Sequence, residues 1–197
     1  MSTEEQAIAQ NRARRRAQEQ GATRAAILDA ARHVGVREGA RHLSLRAVAA
    51  EAGFAPAALY GYFRNKDELL LALAADDLAQ LARALKDAAA NAPSSEKLPA
   101  AALVAVNLLQ QTETLATAPA ALSGGGAPDA ERIFNGRLIA ALRALSEAAG
   151  IRMESRDSQS DTILLAATLT GLAVMARSGR LSALGFTPEE ILARLKV

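Results

Sequence analysis

Residues 43–69 constrain the fold more than any other part of the chain. They contain two short sets of apolar residues at helical spacing, namely Leu45, Val48 and Ala49, then Leu59 and Phe63. Gly53 lies between the two sets and permits the left-handed backbone conformation that ends a helix. Ser44 is placed to cap the first helix, and Pro56 suits the first turn of the second. The pattern predicts a helix-turn-helix, although two short helices around a glycine also occur in all-α proteins that do not bind DNA.

Particular sequence motifs favour the DNA-binding interpretation. They are ILDAA (27–31), Gly39, LSLR (43–46), VA (48–49), AG (52–53), LYGYF (59–63) and NKDEL (65–69). Together they resemble the TetR family of bacterial transcriptional regulators over roughly residues 23–70, and the run from 59 to 69 is the most specific part. The resemblance implies a head that binds DNA through the helix-turn-helix. It also implies a C-terminal body that binds a small effector and forms a dimer.

Composition favours an all-α fold. Half of the 197 residues are hydrophobic, only 3% are aromatic, and alanine and leucine, which are good helix formers, dominate. We predict an N-terminal three-helix head joined to a C-terminal helical bundle, with about nine helices in total. The expected division is a flexible basic arm at 1–22, a DNA-binding domain at 23–69, and an effector-binding and dimerisation domain at 70–197.

Charge is distributed unevenly along the chain. From Arg12 to Lys66 there are 11 lysines and arginines against four acidic residues, whereas the whole chain has a net charge of only +2. A basic N-terminal third suits a domain that meets phosphate groups. Four arginines crowd the N-terminal arm, at Arg12, Arg14, Arg15 and Arg16. This arm is either the solvated end of a helix or a segment that follows DNA phosphates or enters a minor groove.

Several classes of site and location are disfavoured. The chain has no cysteine, which excludes disulfides and thiolate chemistry. His33 and His42 have no clustered carboxylates beside them, so we expect surface or capping roles, with no metal ion and no cofactor. No apolar run approaches the roughly 20 residues that span a membrane. The N-terminus has no apolar core of the signal-peptide kind, so we expect a cytoplasmic protein without membrane contact.

Catalysis is also disfavoured. An enzyme that carries a helix-turn-helix, such as a recombinase, needs a nucleophile with an activating partner or a metal constellation. The paired acids at 76–77 and 189–190 fall in predicted helices without such partners. We therefore predict no catalytic residues and no enzyme activity.

Local signals mark the remaining helices. Thr23 is expected to cap a first helix that ends near Glu38, and Asn65 to cap a helix that ends near Ala90. Pro99 suits the first turn of the next helix, and residues 123–128 form a glycine-rich loop. Further helices are predicted at about 129–149, 160–178 and 187–197.

The TetR resemblance assigns roles to individual residues of the head. It places Tyr60, Tyr62 and Lys66 near DNA phosphates, which a phenolic hydroxyl and an ammonium group can bind. Arg46 is the first choice for a guanine contact, worth about 1–3 kcal/mol of discrimination, with a phosphate contact as the alternative. The full candidate DNA-binding set is Ser44, Leu45, Arg46, Ala55, Pro56, Ala57, Ala58, Tyr60, Gly61, Tyr62 and Lys66.

The second helix of the motif departs from the usual family pattern. Polar residues are frequent at its start, but here the leading residues are Ala55, Pro56, Ala57 and Ala58, and Gly61 replaces a larger side chain. Such a face forms few hydrogen bonds with bases, so specificity must depend on Arg46, thymine methyl contacts and DNA shape. A helical interaction module that has lost DNA binding is therefore an alternative. The retained Tyr60, Tyr62 and Lys66 argue against it.

The predicted body contains one helix, at 160–178, that is apolar nearly all round. Such a helix must be covered on both sides. It is either an ordinary core helix or, together with the helix at 187–197, a homodimer interface that spaces two heads for a palindromic DNA operator. Candidate residues for an effector pocket, each of which is alternatively simple core or surface, are Leu103, Val106, Asn107, Leu109, Gln110, Phe134, Leu138 and Met175. Their character favours an apolar effector. We predict a repressor that this effector releases from the operator, with an activator as the alternative.

Overall fold

The computed structural model describes residues 3–39, 42–112, 115 and 128–195. Over these ranges the chain is all-α, as predicted, and contains no strand. The nine helices of the described residues are α1 (Thr3–Glu38), α2 (Leu45–Ala52), α3 (Pro56–Leu59), α4 (Lys66–Asn91), α5 (Lys97–Gln111), α6 (Pro128–Ala148), α7 (Arg156–Arg177), α8 (Arg180–Ala183) and α9 (Pro188–Leu192). The expected loop at 123–128 lies almost entirely outside the described residues.

The chain divides into two compact units, residues 1–69 and 70–197. In the first unit, α1 packs against α2, and α2 packs against α3. Its fully buried side chains come from all three helices and the turn after α3: Ile27, Ala31, Val34, Val48, Leu59 and Phe63. Burial of a large aliphatic or aromatic side chain contributes about 1.5–3 kcal/mol, so this apolar cluster holds the three short elements together.

The first helix begins much earlier than the sequence pattern predicted. Thr23 does not cap it, because α1 starts at Thr3 and the Thr23 hydroxyl donates to the Glu19 carbonyl within the helix, at 2.9 Å. Residues 3–22 are rich in Ala, Gln, Glu and Arg, which are good helix formers, and Gly21 alone is too weak an interruption. Residues assigned to a flexible arm therefore continue α1, and their contact with DNA stays a prediction.

The caps around α2 and α4 are those that the sequence predicted. The Ser44 hydroxyl accepts the Ala47 N–H at 3.2 Å, and Gly53 follows α2 with a φ of 72°. The Asn65 side chain accepts the Glu68 N–H at 2.8 Å, so α4 begins at Lys66. These caps satisfy backbone groups at the helix ends that have no partner within the helix. They fix the end of α2 and the start of α4, and α3 lies between these two points.

In the second unit, α7 packs against α5, α6, α8 and α9. It begins at Arg156, earlier than expected, because Ser155 and Ser158 form a capping box ahead of it. The short helix α8 was not predicted. Thr187 caps α9 as predicted, but α9 ends at Leu192 and is shorter than the expected 187–197. Its Leu192 is buried, whereas Glu189 and Glu190 are exposed.

One face of α7 is covered and the other is exposed. Thr162, Leu165, Leu169, Leu172 and Ala173 are buried. The exposed face carries large apolar side chains, namely Ile163, Leu164, Val174 and Met175. The expectation of cover on both sides is therefore not met within a single chain.

The helix α7 departs from the expectation that no part of the chain resembles a membrane span. It is long and apolar enough to cross a membrane by length and composition alone, with a mean hydropathy of 1.3 over its most apolar window. Counting uninterrupted apolar residues missed this, because threonines, serines and glycine are interspersed along the helix. Its packing against α5 and α6 is that of a helix in a bundle, and the absence of membrane contact stays a prediction.

Candidate functional site

The helix α3 presents a nearly bare face. Leu59 is fully buried and anchors the helix, whereas Ala55, Pro56, Ala57 and Ala58 are exposed. The helical turn continues past Leu59, whose carbonyl accepts the N–H groups of Tyr62 and Phe63, each at 2.9 Å. A Cβ added to Gly61 would lie 3.3 Å from the Ala58 carbonyl oxygen, so glycine relieves a tight contact there. The exposed alanines give this face small apolar contacts and few hydrogen-bonding groups.

The residues expected to meet DNA are exposed or half-buried, with one exception. Arg46 and Tyr60 are exposed, and Tyr62 and Lys66 are half-buried. Leu45 corrects the candidate set, because its side chain is only 8% exposed and packs in the core of the head. As the first residue of α2 it begins the apolar stripe that continues with Val48, so its side chain is not available to DNA.

Sequence reasoning missed Arg24, which connects α1 to the turn after α3. Its guanidinium carbon lies 4.4 Å from the centre of the Phe63 ring, and Nη1 donates to the Tyr62 carbonyl at 3.4 Å. Burial lowers the pKa of Arg24 below its usual value, and the nearby Glu68 carboxylate opposes that shift. The sequence signal that could have identified Arg24 is its spacing. Arg24 precedes the buried Ile27 by three residues and therefore lies on the inward side of α1.

Ion pairs join the C-terminal end of α1 to α2. Arg37 donates to Glu51 at 2.8 Å and to Glu38 at 3.1 Å. These contacts, with Glu51 foremost, raise the pKa of Arg37. His33 Nδ1 lies 3.9 Å from Glu51, and His42 Nδ1 lies 3.0 Å from the Glu38 carbonyl. In the described part of the chain, no group of three or more His, Cys, Asp or Glu side chains is placed to hold a metal ion.

The second unit contains a cavity of about 270 Å³. Its walls are built from α4, α5, α6 and α7, and its lining residues are Leu78, Leu81, Leu85, Ala105, Leu109, Thr112, Leu115, Phe134, Leu138, Ala141, Leu142, Leu145, Ala166, Leu169, Thr170, Ala173, Val174 and Arg177. We call this space the body cavity. Its volume is slightly below the usual range of small-ligand sites, which are mostly apolar with a few placed polar groups.

The body cavity includes only some of the residues proposed for an effector pocket. Leu109, Phe134 and Leu138 line it, whereas Leu103, Val106, Asn107, Gln110 and Met175 do not. The physical reason is helical phase. The cavity side of α5 carries Ala105, Leu109 and Thr112, at i, i+4 and i+7, and the missed residues lie on other faces. On α7, Val174 and Met175 are both exposed, but only Val174 lines the cavity.

Of the polar residues that line the body cavity, Thr112 was expected from the sequence, and Thr170 and Arg177 were not. The hydroxyls of Thr112 and Thr170 donate to carbonyls one turn earlier in the chain, Leu108 at 2.9 Å and Ala166 at 2.8 Å. Arg177 Nη1 donates to the Thr112 carbonyl at 3.2 Å. Arg177 is the last residue of α7, and no sequence signal marks it as part of a cavity, because that depends on the neighbouring helices.

Residues 27–73 match the family described as bacterial regulatory proteins, tetR family. The resemblance to TetR regulators is confirmed. The match covers the TetR-like head, including α2, α3 and the start of α4. No curated protein sequence matches the chain.

Solved structures extend the TetR-like fold beyond the head. A TetR transcriptional regulator from Rhodococcus sp. RHA1 is 22% identical, with a TM-score of 0.65 over 89% of this chain and 94% of that chain. A protein of unknown function from the same organism is 28% identical, with a TM-score of 0.67 over 87% and 90%. FadR from Bacillus subtilis in complex with stearoyl-CoA is 19% identical, with a TM-score of 0.60 over 85% and 92%. At these identities the likeness establishes the fold.

Proposed function

We propose that this chain is a sequence-specific transcriptional repressor of TetR type, released from a palindromic operator by a small effector. The observation that carries the proposal is the exposed face of α3, supported from beneath by Leu59 and Phe63 and flanked by Tyr60, Tyr62 and Lys66. A short helix held in this way at the surface can enter the DNA major groove. The match of residues 27–73 to the TetR family supports the same interpretation.

We propose that one group of residues positions the head on the operator and that another group recognises its sequence. Tyr60, Tyr62 and Lys66 bind phosphates and fix the register of the head, which carries little sequence information. Arg46 is exposed near the start of α2 and is free of any described acidic partner, so it can reach a base edge. The alanines of α3 contribute methyl contacts, and DNA shape contributes the rest.

A homodimer is proposed through the exposed face of α7. This face carries Ile163, Leu164, Val174 and Met175, and Leu164 is 68% exposed. The small residues Ala167 and Gly171 are exposed between these side chains, so a second copy of α7 can approach closely. Contiguous apolar stripes of this kind mark interaction sites on soluble proteins. Because α9 is short and its exposed residues Glu189 and Glu190 are charged, it contributes less to this interface than the sequence suggested.

The effector is proposed to bind in the body cavity. The cavity is formed by four helices, one of which, α4, begins at Lys66 in the head and contributes Leu78, Leu81 and Leu85 to the lining. The stearoyl-CoA bound by the B. subtilis FadR shows that this neighbour accepts a ligand with a long apolar part. An effector changes operator affinity only if it binds two states of the protein with different affinity.

A DNA-binding measurement tests the proposed function. We expect a gel-shift complex with the DNA that flanks the gene, formed in preference to a scrambled fragment of equal length. The complex should weaken steeply between two salt concentrations, because bound lysines and arginines release counterions from the duplex. Equal affinity for both fragments would contradict sequence-specific regulation and favour the interaction-module alternative. A cytoplasmic location and the lack of catalysis and cofactor remain predictions.

A further inference from the structure

The described lining of the body cavity has few polar groups. Among its described lining residues, every side chain other than Thr112, Thr170 and Arg177 is apolar. The two threonine hydroxyls donate to backbone carbonyls, so they offer a ligand mainly oxygen lone pairs. Arg177 supplies the positive charge of the lining. Its guanidinium has five N–H donors, and its one described hydrogen bond leaves most of them available.

Arg177 also lies at one end of the cavity. The lining residues of α7 run from Ala166 through Leu169, Ala173 and Val174 to Arg177, along one face of the helix. At 1.5 Å per residue, Ala166 and Arg177 are about 16 Å apart along the helix axis. The bond from Arg177 to the Thr112 carbonyl places the C-terminal end of α5 beside the same end. The lining therefore has a cationic end and a long remainder that is apolar except for Thr170.

Two helix C-termini, those of α5 and α7, lie at this cationic end. Their effect on an anion must be separated from the effect of the Arg177 charge. The last carbonyls of α5 and α7 carry partial negative charge, which opposes an anion. A guanidinium–carboxylate contact is a direct charge-assisted hydrogen bond and is stronger than the field of a helix end. Recognition of an anion must therefore come from Arg177 itself, and its removal should leave an end that disfavours anions.

We propose that the ligand of the body cavity is an amphiphilic anion. Its apolar part occupies the space between α4, α5, α6 and α7, and its carboxylate pairs with Arg177 beside Thr112. This inference rests on the proposed function only in treating the body cavity as the effector site. It goes beyond an apolar effector because it requires a negatively charged head group.

Calorimetric titration of the full chain with octanoate, 1-octanol and octylammonium at pH 7.5 tests the head group at constant chain length. At that pH the carboxylate and the ammonium are both ionised. We expect octanoate to bind about tenfold more tightly than 1-octanol, and octylammonium to bind most weakly. In Arg177→Gln the preference for octanoate over 1-octanol should disappear or reverse. Arg177→Lys should retain part of the preference, which guards against a folding defect in the glutamine variant.

Arg180→Gln is the matched control, because Arg180 is exposed, lies three residues later and does not line the cavity. It should retain the full preference for octanoate. The proposal is overturned if 1-octanol binds the natural chain as tightly as octanoate, if Arg177→Gln keeps the preference, or if none of the three compounds binds.

Operator binding measured with and without octanoate separates this inference from the proposed function. If octanoate binds through Arg177 and operator affinity does not change, the ligand class is supported and the effector role of the cavity is wrong. If another compound releases the operator while octanoate does not bind, regulation is supported and the anionic class is wrong.

Discussion

The guanidinium of Arg24 stacks on the ring of Phe63, with 4.4 Å between the guanidinium carbon and the ring centre. The same group donates to the Tyr62 carbonyl at 3.4 Å. Phe63 is fully buried beneath the turn that follows α3. Arg24 therefore fixes the position of this turn, and with it Tyr60 and Tyr62, from a helix that takes no part in the helix-turn-helix itself.

Replacing Arg24 tests the stabilising effect of this contact. We expect Arg24→Ala to lower the free energy of unfolding by about 1–2 kcal/mol, the range for a partly desolvated cation–π pair. Urea denaturation followed by circular dichroism measures it. Arg14→Ala is the control, since Arg14 is exposed on the same helix and should change stability little. Equal stabilities of the two variants would argue against the role given to Arg24.

Replacement of Arg46 and of Lys66 by alanine should change DNA binding in different ways. Arg46→Ala should lose about 1–3 kcal/mol of discrimination between the operator and scrambled DNA, because a base contact carries sequence information. Lys66→Ala should weaken binding to both DNA fragments alike and reduce the slope of affinity against salt concentration. Gel shifts at several salt concentrations measure both effects. Identical behaviour of the two variants would mean that Arg46 contacts phosphate.

Two glycines should respond to alanine with opposite sign. Gly53 has a φ of 72°, where an added Cβ is strained, so Gly53→Ala should lower the free energy of unfolding by about 1–2 kcal/mol. Gly136 lies inside α6 without a positive φ, so Gly136→Ala should raise it by about 0.5–1 kcal/mol. An added Cβ meets nothing within 4 Å at either position. Because packing does not differ, a loss of stability in both variants would contradict the backbone explanation.

Disrupting the exposed face of α7 should separate the proposed dimer. Leu164→Glu adds a charge to the most exposed large side chain of this face, and burying that charge in an interface is costly. Sedimentation equilibrium should report a monomer for this variant and a dimer for the natural chain. Val36→Glu is the control, because Val36 is 84% exposed in α1, outside the proposed interface. A Leu164→Glu variant that remains dimeric would place the interface elsewhere.

Local signals in the sequence predicted the head well. Ser44, Gly53 and Asn65 act through bonds or backbone angles within a few residues, so their roles follow from the sequence order alone. The start of α1 was missed for a related reason. Thr23 is a good capping residue, but nothing before it forces a helix to stop.

The body cavity was predicted poorly because it depends on distant parts of the chain. The sequence indicates that α5 is helical, but the face of α5 that borders a gap is decided by α4, α6 and α7. Leu109 lines the cavity and Val106 does not, although both are apolar and lie about one turn apart. Arg177 illustrates the same limit, since its place in the lining follows from the end of α5 beside it.

The exposed alanines of α3 have a consequence for how this protein can change. Ala57 and Ala58 support no packing beneath them, because Leu59 and Phe63 anchor the helix. A polar side chain introduced at either position adds hydrogen-bonding capacity without removing a structural contact. If this face binds the operator as proposed, single substitutions on it would redirect the protein to a new operator at little risk to folding, and the bare helix would be a ready starting point for divergence of its target genes.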